Sequence, residues 1–411
     1  MVVLWLIVPI GCDNCQTDGG REINLVLATV ANMQVRPILL AAIEEFEDEN
    51  PHVEVELMEI PGSKYYQKLL VMMAGGNAPD LMWMGVGFAD FVSRGVFFDL
   101  SSRIESEIDT REYHPTVLGW YRSGDKQYGV PYGISLDLVV YNKKLFDKAG
   151  ISYPEDNWRV EDLLVKAKAL TIDRDGDGQI DQYGYRGEIP HPMFGAKIIT
   201  SDGSRALCNS SEMVEAIQFN MELVFKWKVS AWLPWMWDET HPAGEQYSLF
   251  RQGRAAMMRS STHEIMYLQE RCADVEWDIT VCPQARKRAY WASSKAYLVS
   301  ASTRHPDKAW LLFKNLISDH YQMALATVPA NLRLARKMVE QNTQKPANLQ
   351  VLLEATNHLY HMPSHHELVD IFFRNVRKIS TFYGTAQQIS PKEGMIEAER
   401  QINEAIVRNR S

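Results

Sequence analysis

Gly129-Val-Pro-Tyr-Gly-Ile-Ser-Leu-Asp-Leu-Val-Val-Tyr-Asn-Lys-Lys-Leu-Phe-Asp-Lys-Ala-Gly150 is the stretch whose reading decides the fold. Pro131 and Gly133 break the approach, Ser135 and Asp137 follow as lone polar residues, and Leu138 to Tyr141 is a continuous apolar run. Such a run suits a strand covered on both faces, as in a parallel α/β sheet. Asn142 before Lys143 predicts a helix cap, so the strand passes directly into a helix. Polar residues where a chain enters a buried strand face a cleft, which makes Ser135 and Asp137 candidate ligand contacts.

On the N-terminal side, Ile23–Ala28 reads as a strand. Pro37 starts a helix with Ile38, Leu39, Ala42, Ile43 and Phe46 on one face, and Asn50-Pro51 stops it. Val53, Val55 and Leu57 alternate with charges as a second strand, Ser63 to Ala74 forms a second helix ended by Gly75-Gly76, and Asp80-Leu-Met-Trp-Met84 follows. This βαβα order predicts an α/β fold with a doubly wound parallel sheet, whose ligands sit outside the carboxyl ends of the strands. Trp83 and Met84 occupy that position.

On the C-terminal side, Val160–Leu170 is a helix followed by Asp173-Arg-Asp-Gly-Asp-Gly-Gln-Ile-Asp181. Asp173, Asp175, Asp177 and Asp181 stand at positions one, three, five and nine of an EF-hand-like loop, with Gln179 at seven. Gly184 stands where the bidentate Glu belongs. A structural calcium ion is therefore the one metal the sequence admits, against a solvated acidic turn, and no cofactor is required. Ser211 to Lys228 is an amphipathic helix leading to Val229-Ser-Ala-Trp-Leu-Pro-Trp-Met-Trp237. Pro234 rules out a regular helix interior there. Trp232, Trp235 and Trp237 are thus candidates for an aromatic shelf, because an indole face suits the C–H groups of a pyranose while polar neighbours take its hydroxyls. Gln246–Gln252 is a short helix, Ala255–Arg259 and Lys295–Ser300 are strands, and Pro306 opens a helix with Ala309, Leu312, Phe313 and Leu316 inward. The tail is helical over Glu367–Ser380 and Pro391–Arg408. His358, His361, His365 and His366 have metal-like spacing, but Pro363 interrupts them and no further ligand framework accompanies them.

The 411 residues suffice for two cored domains, and 52 acidic against 43 basic residues give a net charge of −9. With the Lys and Arg scattered, nucleic acid is excluded as a main partner. Val2 to Ile10 is an apolar run too short to span a bilayer and of the length of a signal-peptide core. Pro9-Ile-Gly-Cys12 looks like a bacterial lipobox, which would make Cys12 the lipidated mature N-terminus. Asp13 then resembles the signal that retains such lipoproteins at the inner membrane of a two-membraned cell. Cys208, Cys272 and Cys282 are either small buried hydrophobes or include a disulfide.

The opening stretch, with Gly75-Gly-Asn-Ala-Pro-Asp-Leu81, Phe250-Arg-Gln-Gly-Arg-Ala-Ala-Met257 and Val328-Pro-Ala-Asn331, resembles the extracellular solute-binding proteins of ABC importers. The likeness is to the carbohydrate-binding group similar to maltose-binding protein, and it covers nearly the whole mature chain in order and spacing. It implies a two-lobed periplasmic-binding-protein-like fold, each lobe a doubly wound sheet flanked by helices, with three hinge crossings. Residues 1–20 would be signal peptide and tether, 21–133 with 296–328 lobe 1, and 136–292 with 332–411 lobe 2. The resemblance places Trp83, Ser260 and Ser261 in the cleft, the second crossing beside Trp291 and Ser294, and the third near Val328–Arg333, which nominates Arg333. Many relatives carry a Trp near the position of His263. The implied partners are a carbohydrate or polyol ligand and an importer permease, for a monomer anchored by lipid at the outer face of the cytoplasmic membrane.

The residues carry no Gly-rich phosphate loop, and Gly133-Ile-Ser-Leu-Asp137 lacks the second Gly of a nucleophile elbow. His263-Glu264 lacks the second His of a zincin. No catalytic residue is nominated. An exported glycoside-active enzyme would share the export signal, acidity and Trp content and is the rival reading; a tethered sensor reporting to a receptor is the other.

Overall fold

A computed structural model describes residues 23–85, 87–200, 203–230, 245–325, 328–361, 366–383, 385 and 388–410. The leader with Cys12 lies outside them. The strands are β1 (Ile23–Val30), β2 (Val53–Ile60), β3 (Leu81–Met84), the hairpin β4 (Arg122–Ser123) and β5 (Lys126–Gln127), β6 (Gly133–Asn142), β7 (Tyr183–Arg186), β8 (Ala255–Ser261), β9 (Trp277–Val281), β10 (Tyr290–Val299), β11 (Val328–Pro329) and β12 (Leu359–His361).

All but the hairpin join one sheet, ordered β2-β1-β3-β10-β6-β8-β7, with β9 and β11 also on β6 and β12 on β10. The expected parallel arrangement holds for β1 with β2 and β3. Beyond it the sheet is mixed: β10 runs antiparallel to β3 and β6, and β6 antiparallel to β8 and β9. The reversal comes from two long strands that each serve two halves of the sheet. β10 pairs with β3 over Ala296–Val299 and with β6 over Ala292–Lys295. β6, having paired with β10 over Gly133–Leu136, continues from Asp137 onward against β8 and from Leu138 against β9. β11 adds Val328 and Pro329 opposite Ile134 and Gly133.

The β6 strand is longer than its apolar run. It begins at Gly133 and takes in Ser135 and Asp137, since partners on both sides hydrogen-bond its backbone whatever its side chains. Leu136, Leu138, Val139 and Val140 are fully buried, each contributing roughly 1.5–3 kcal/mol of apolar burial. The helix Lys143–Ala149 follows as expected, with the Asn142 side chain accepting from the Leu145 amide at 3.3 Å. Gly150 closes it with φ +69°, a left-handed conformation that glycine adopts without strain.

Helices cover the sheet. Arg36–Glu49 buries Leu39, Ala42, Ile43 and Phe46, and Pro306–Asn315 buries Ala309, Trp310, Leu312 and Phe313. At the far end Ser211–Phe225, His366–Phe382 and Pro391–Arg410 form a separate core with Met213, Ile217, Met221, Leu368, Phe372, Met395 and Ile402. Cys208, Cys272 and Cys282 are free, buried thiols, which decides the alternative left open by the sequence. Replacing the capping residue in Asn142→Ala should lower stability by about 1 kcal/mol in urea unfolding. An unchanged midpoint would show that the cap is idle.

Candidate functional site

Directly opposed residues of an antiparallel pair share a face. The register sets Ser135 opposite Ser293 and Gly133 opposite Lys295 between β6 and β10, and Asp137 opposite Ser261 between β6 and β8. One face at the junction of the two sheet halves therefore carries Ser135, Asp137, Ser261, Ser293 and Lys295. His263, just past the end of β8, sits over it: its Nδ1 is 3.0 Å from Ser135 Oγ and 2.7 Å from Ser261 Oγ. Burial pushes His263 down to about 4, and the positive charge of Lys295 acts the same way, so the ring is neutral at pH 7. Ser260, on the other face, donates to Glu264 at 2.6 Å.

Asp137 is not a free acceptor. Its Oδ2 receives Arg259 Nη2 at 2.5 Å and Nε at 3.2 Å, while Arg259 Nη1 donates to Glu188 at 3.1 Å. The Arg259 side chain is 4% exposed. Burial drives the Asp137 carboxyl up to about 6 even though Arg259 pulls it down, and the two carboxylates hold the guanidinium above its ordinary value despite its burial. Gly187 makes room for this cluster. Its φ is +137°, and a Cβ there would lie 2.6 Å from Arg259 Cβ. Glu188 has no signature in the sequence; only the glycine before it hints at a close approach.

Arg259 also lies 5.4 Å from the centre of the Trp291 ring, and Phe373 stacks on that indole at 5.6 Å. Trp291 is 4% exposed, so in this conformation its ring is packing rather than shelf. His191 meets it edge-on at 5.4 Å, and among the described residues neither Trp291 Nε1 nor His191 Nε2 has a hydrogen-bond partner.

Trp83 is half-buried at the end of β3, its Nε1–H donating to Tyr132 Oη at 2.9 Å. Met84 and Ser294 differ from it. The Met84 side chain is fully buried and Ser294 is 3% exposed, while the Tyr121 hydroxyl lies 2.9 Å from the Met84 carbonyl and 3.0 Å from that of Ser294, linking β3 to β10. One aromatic missed in the sequence is Trp120, half-buried and stacked on His361 at 4.2 Å with 23° between the planes. Arg333 stands apart, half-exposed and held by Glu112 at 3.2 Å and Asp319 at 2.9 Å. Trp232, Trp235 and Trp237 lie outside the described residues.

The acidic loop folds on itself as its spacing predicts. Asp173 accepts from the Gly176 and Gly178 amides, Asp177 from the Gln179 amide and Asp181 from the Arg174 amide. One carboxylate oxygen from each of Asp173, Asp175 and Asp177 lies within 4.8 Å of the others, a hard-oxygen donor set that suits Ca²⁺.

A family model described as bacterial extracellular solute-binding protein matches residues 31–323. The chain belongs to this family. A binding protein of Brucella abortus is 23% identical over 84% of this chain and 86% of its own length. The arabinooligosaccharide-binding protein of Halalkalibacterium halodurans is 24% identical over 59% of this chain and 54% of its own. Among solved structures, the ABC substrate-binding protein of Listeria monocytogenes in complex with cycloalternan superposes with a TM-score of 0.80 at 22% identity, covering 94% of this chain and 99% of that one. The maltotriose-bound maltodextrin-binding domain of Bdellovibrio bacteriovorus gives 0.75 at 20%, covering 93% and 100%. The two-lobed fold expected from the resemblance is the fold of this solute-binding protein.

Removing one partner from a buried ion cluster strands the other. Asp137→Ala should therefore cost roughly 3–5 kcal/mol of stability in denaturant unfolding. A cost below about 1 kcal/mol would mean the pair is solvated. Burial pushes His191 down to about 3, with Arg259 adding to it. Between about pH 6.5 and 3 the unfolded chain binds a proton at this residue that the folded chain refuses, so stability falls as pH falls, by up to about 1.4 kcal/mol per pH unit. His191→Phe should flatten that slope in melts recorded across the window; an unaltered slope would assign it to other groups.

Proposed function

We propose that this solute-binding protein captures a carbohydrate at the junction of its two sheet halves and delivers it to an ABC importer permease. The observation that carries the reading is the shared face of β6, β8 and β10. Hydroxyls of Ser135, Ser261 and Ser293, a neutral His263 and the indole of Trp83 are set where both halves of the sheet meet. Hydroxyl and imidazole groups match sugar hydroxyls, and the indole offers a stacking face. The named ligands of relatives, cycloalternan, maltotriose and arabinooligosaccharide, support the same class.

In this reading residues 21–133 with 296–328 move against 136–292 with 332–411, and a ligand touching both stabilises the closed form because only differential affinity shifts such an equilibrium. The pairing of β10 with β3 on one side of Lys295 and with β6 on the other is consistent with that division. The protein acts as a binder rather than an enzyme: Asp137 and Glu188 share one guanidinium instead of flanking a bond as paired glycosidase carboxylates do. Family membership implies export, and among the described residues no helix is long and apolar enough to cross a membrane. Lipidation at Cys12 would hold the monomer at the outer face of the cytoplasmic membrane, on the periplasmic side of a two-membraned cell. Asp173, Asp175 and Asp177, with Gln179 and Asp181, would hold a structural calcium ion.

A thermal-shift screen of residues 21–411 against mono-, di- and oligosaccharides and polyols, with calcium and with chelator, tests this. A ligand at a hundred times its Kd should add about 2.7 kcal/mol, and the sugar should emerge chemically unchanged. Trp83→Ala should reduce the shift. Turnover of the sugar would favour the enzyme, whereas no shift with any carbohydrate would favour a sensor of another ligand. Chelator should lower the melting temperature of the wild type but not of Asp173→Asn.

A further inference from the structure

The shared face of β6, β8 and β10 carries one positive charge that no described residue pairs with. Lys295 lies on β10 opposite Gly133, so its cross-strand neighbour has no side chain to meet it. Its backbone is fixed, the carbonyl accepting from the Tyr132 amide at 3.0 Å. The side chain is half-buried, and burial pushes the ammonium down to about 8, with no carboxylate among the described residues acting in the other direction. Among the described residues it has no ion pair. An amine so placed still carries its proton at pH 7 for most of the time, and leaving it half-desolvated without a counter-charge costs stability.

The other cations of the region are committed. Arg259 is shared between Asp137 and Glu188, a cluster of one positive and two negative charges. Arg333, which stands apart from this face, is in any case held by Glu112 and Asp319. Lys295 is close enough to His263 for its charge to depress that ring. Ser293 precedes it by two residues on the same face, with Ser135 opposite Ser293. Tyr297, two residues on, stands opposite Trp83. On β10 Lys295 therefore stands between Ser293, opposite the Ser135 hydroxyl, and Tyr297, opposite Trp83.

We propose that Lys295 reads a carboxylate on the bound sugar, so that the preferred ligands are uronate-containing saccharides. The proposal rests on the carbohydrate reading and deepens it. One ammonium balances one negative charge, and a carboxylate with neighbouring hydroxyl donors satisfies its lone pairs. A dianionic phosphate would bring a second charge beside the Asp137–Arg259–Glu188 cluster, which already has an excess of negative charge.

Isothermal titration of residues 21–411 with glucuronate- and galacturonate-containing mono- and disaccharides, their neutral counterparts and the 6-phosphates tests it. The wild type should bind a uronate at least about ten-fold tighter than its neutral twin and than the phosphate, as a charge-assisted hydrogen bond implies. Lys295→Met should remove that ten-fold, so that the uronate and its neutral twin bind the variant within about two-fold of each other. Its melting temperature should not fall, because an unpaired charge is removed. Lys295→Arg, which keeps the charge, should retain a preference for the uronate and guards against misfolding of the first variant. Equal or tighter binding of neutral sugars, with Lys295→Met unchanged, would overturn the proposal and leave the carbohydrate reading standing. Preference for the phosphate would overturn the choice of carboxylate, and binding of no saccharide in any charge state would overturn both.

Discussion

Four residue pairs between Gly133–Leu136 and Ala292–Lys295 hold this molecule in one sheet. On one side of them β10 continues against β3, and on the other β6 continues against β8 and β9. Because each strand belongs to both halves, side chains at the crossover are placed by backbone hydrogen bonds common to the whole sheet. That is a stiffer support than a loop, and loops are the usual carriers of binding residues. It is also why a polar face tolerates so much burial here: the main chain is satisfied first, and only side-chain partners remain to be found.

Those partners are found in two different ways. Arg259, Asp137 and Glu188 meet as charges in a region of low solvent access, where the attraction is strong but the desolvation is also large. Around His263, by contrast, burial favours the uncharged ring, and hydroxyls meet a neutral partner. The site is thus divided into an ionic base that orders the protein and a neutral rim with exchangeable hydrogen bonds.

Much of this was legible in the sequence, and the gaps have physical causes. The β6 strand, its capped helix and the first βαβα unit follow from apolar runs, Asn142 and the Gly/Pro breaks, which act locally. The antiparallel direction of β10 was not readable, since strand direction is set by which partner the strand meets after hundreds of residues of chain. Asp137 was correctly singled out as a polar residue in a buried strand, yet Arg259 and Glu188 lie far from it in sequence, and a hydroxyl acceptor and an ion-pair partner look alike in one dimension. With a side-chain period of two, Trp83 and Met84 at the end of β3 point to opposite sides of the sheet, and Met84 is the fully buried one, a difference that an apolar run does not show. Lys295 passed unnoticed because a single lysine in a strand ordinarily reads as a solvated edge residue.

The glycine beneath Arg259 constrains how this group of residues can change. Gly187 admits no Cβ without displacing the guanidinium stem, and the guanidinium in turn neutralises carboxylates from two different elements. Each member is tolerable only with the others in place, so their effects do not add. A lineage drifting toward a different ligand would cross a deep fitness valley by altering this group one residue at a time. The hydroxyls around His263 present no such valley. Divergence in specificity should therefore accumulate at the rim while the base is inherited as a block.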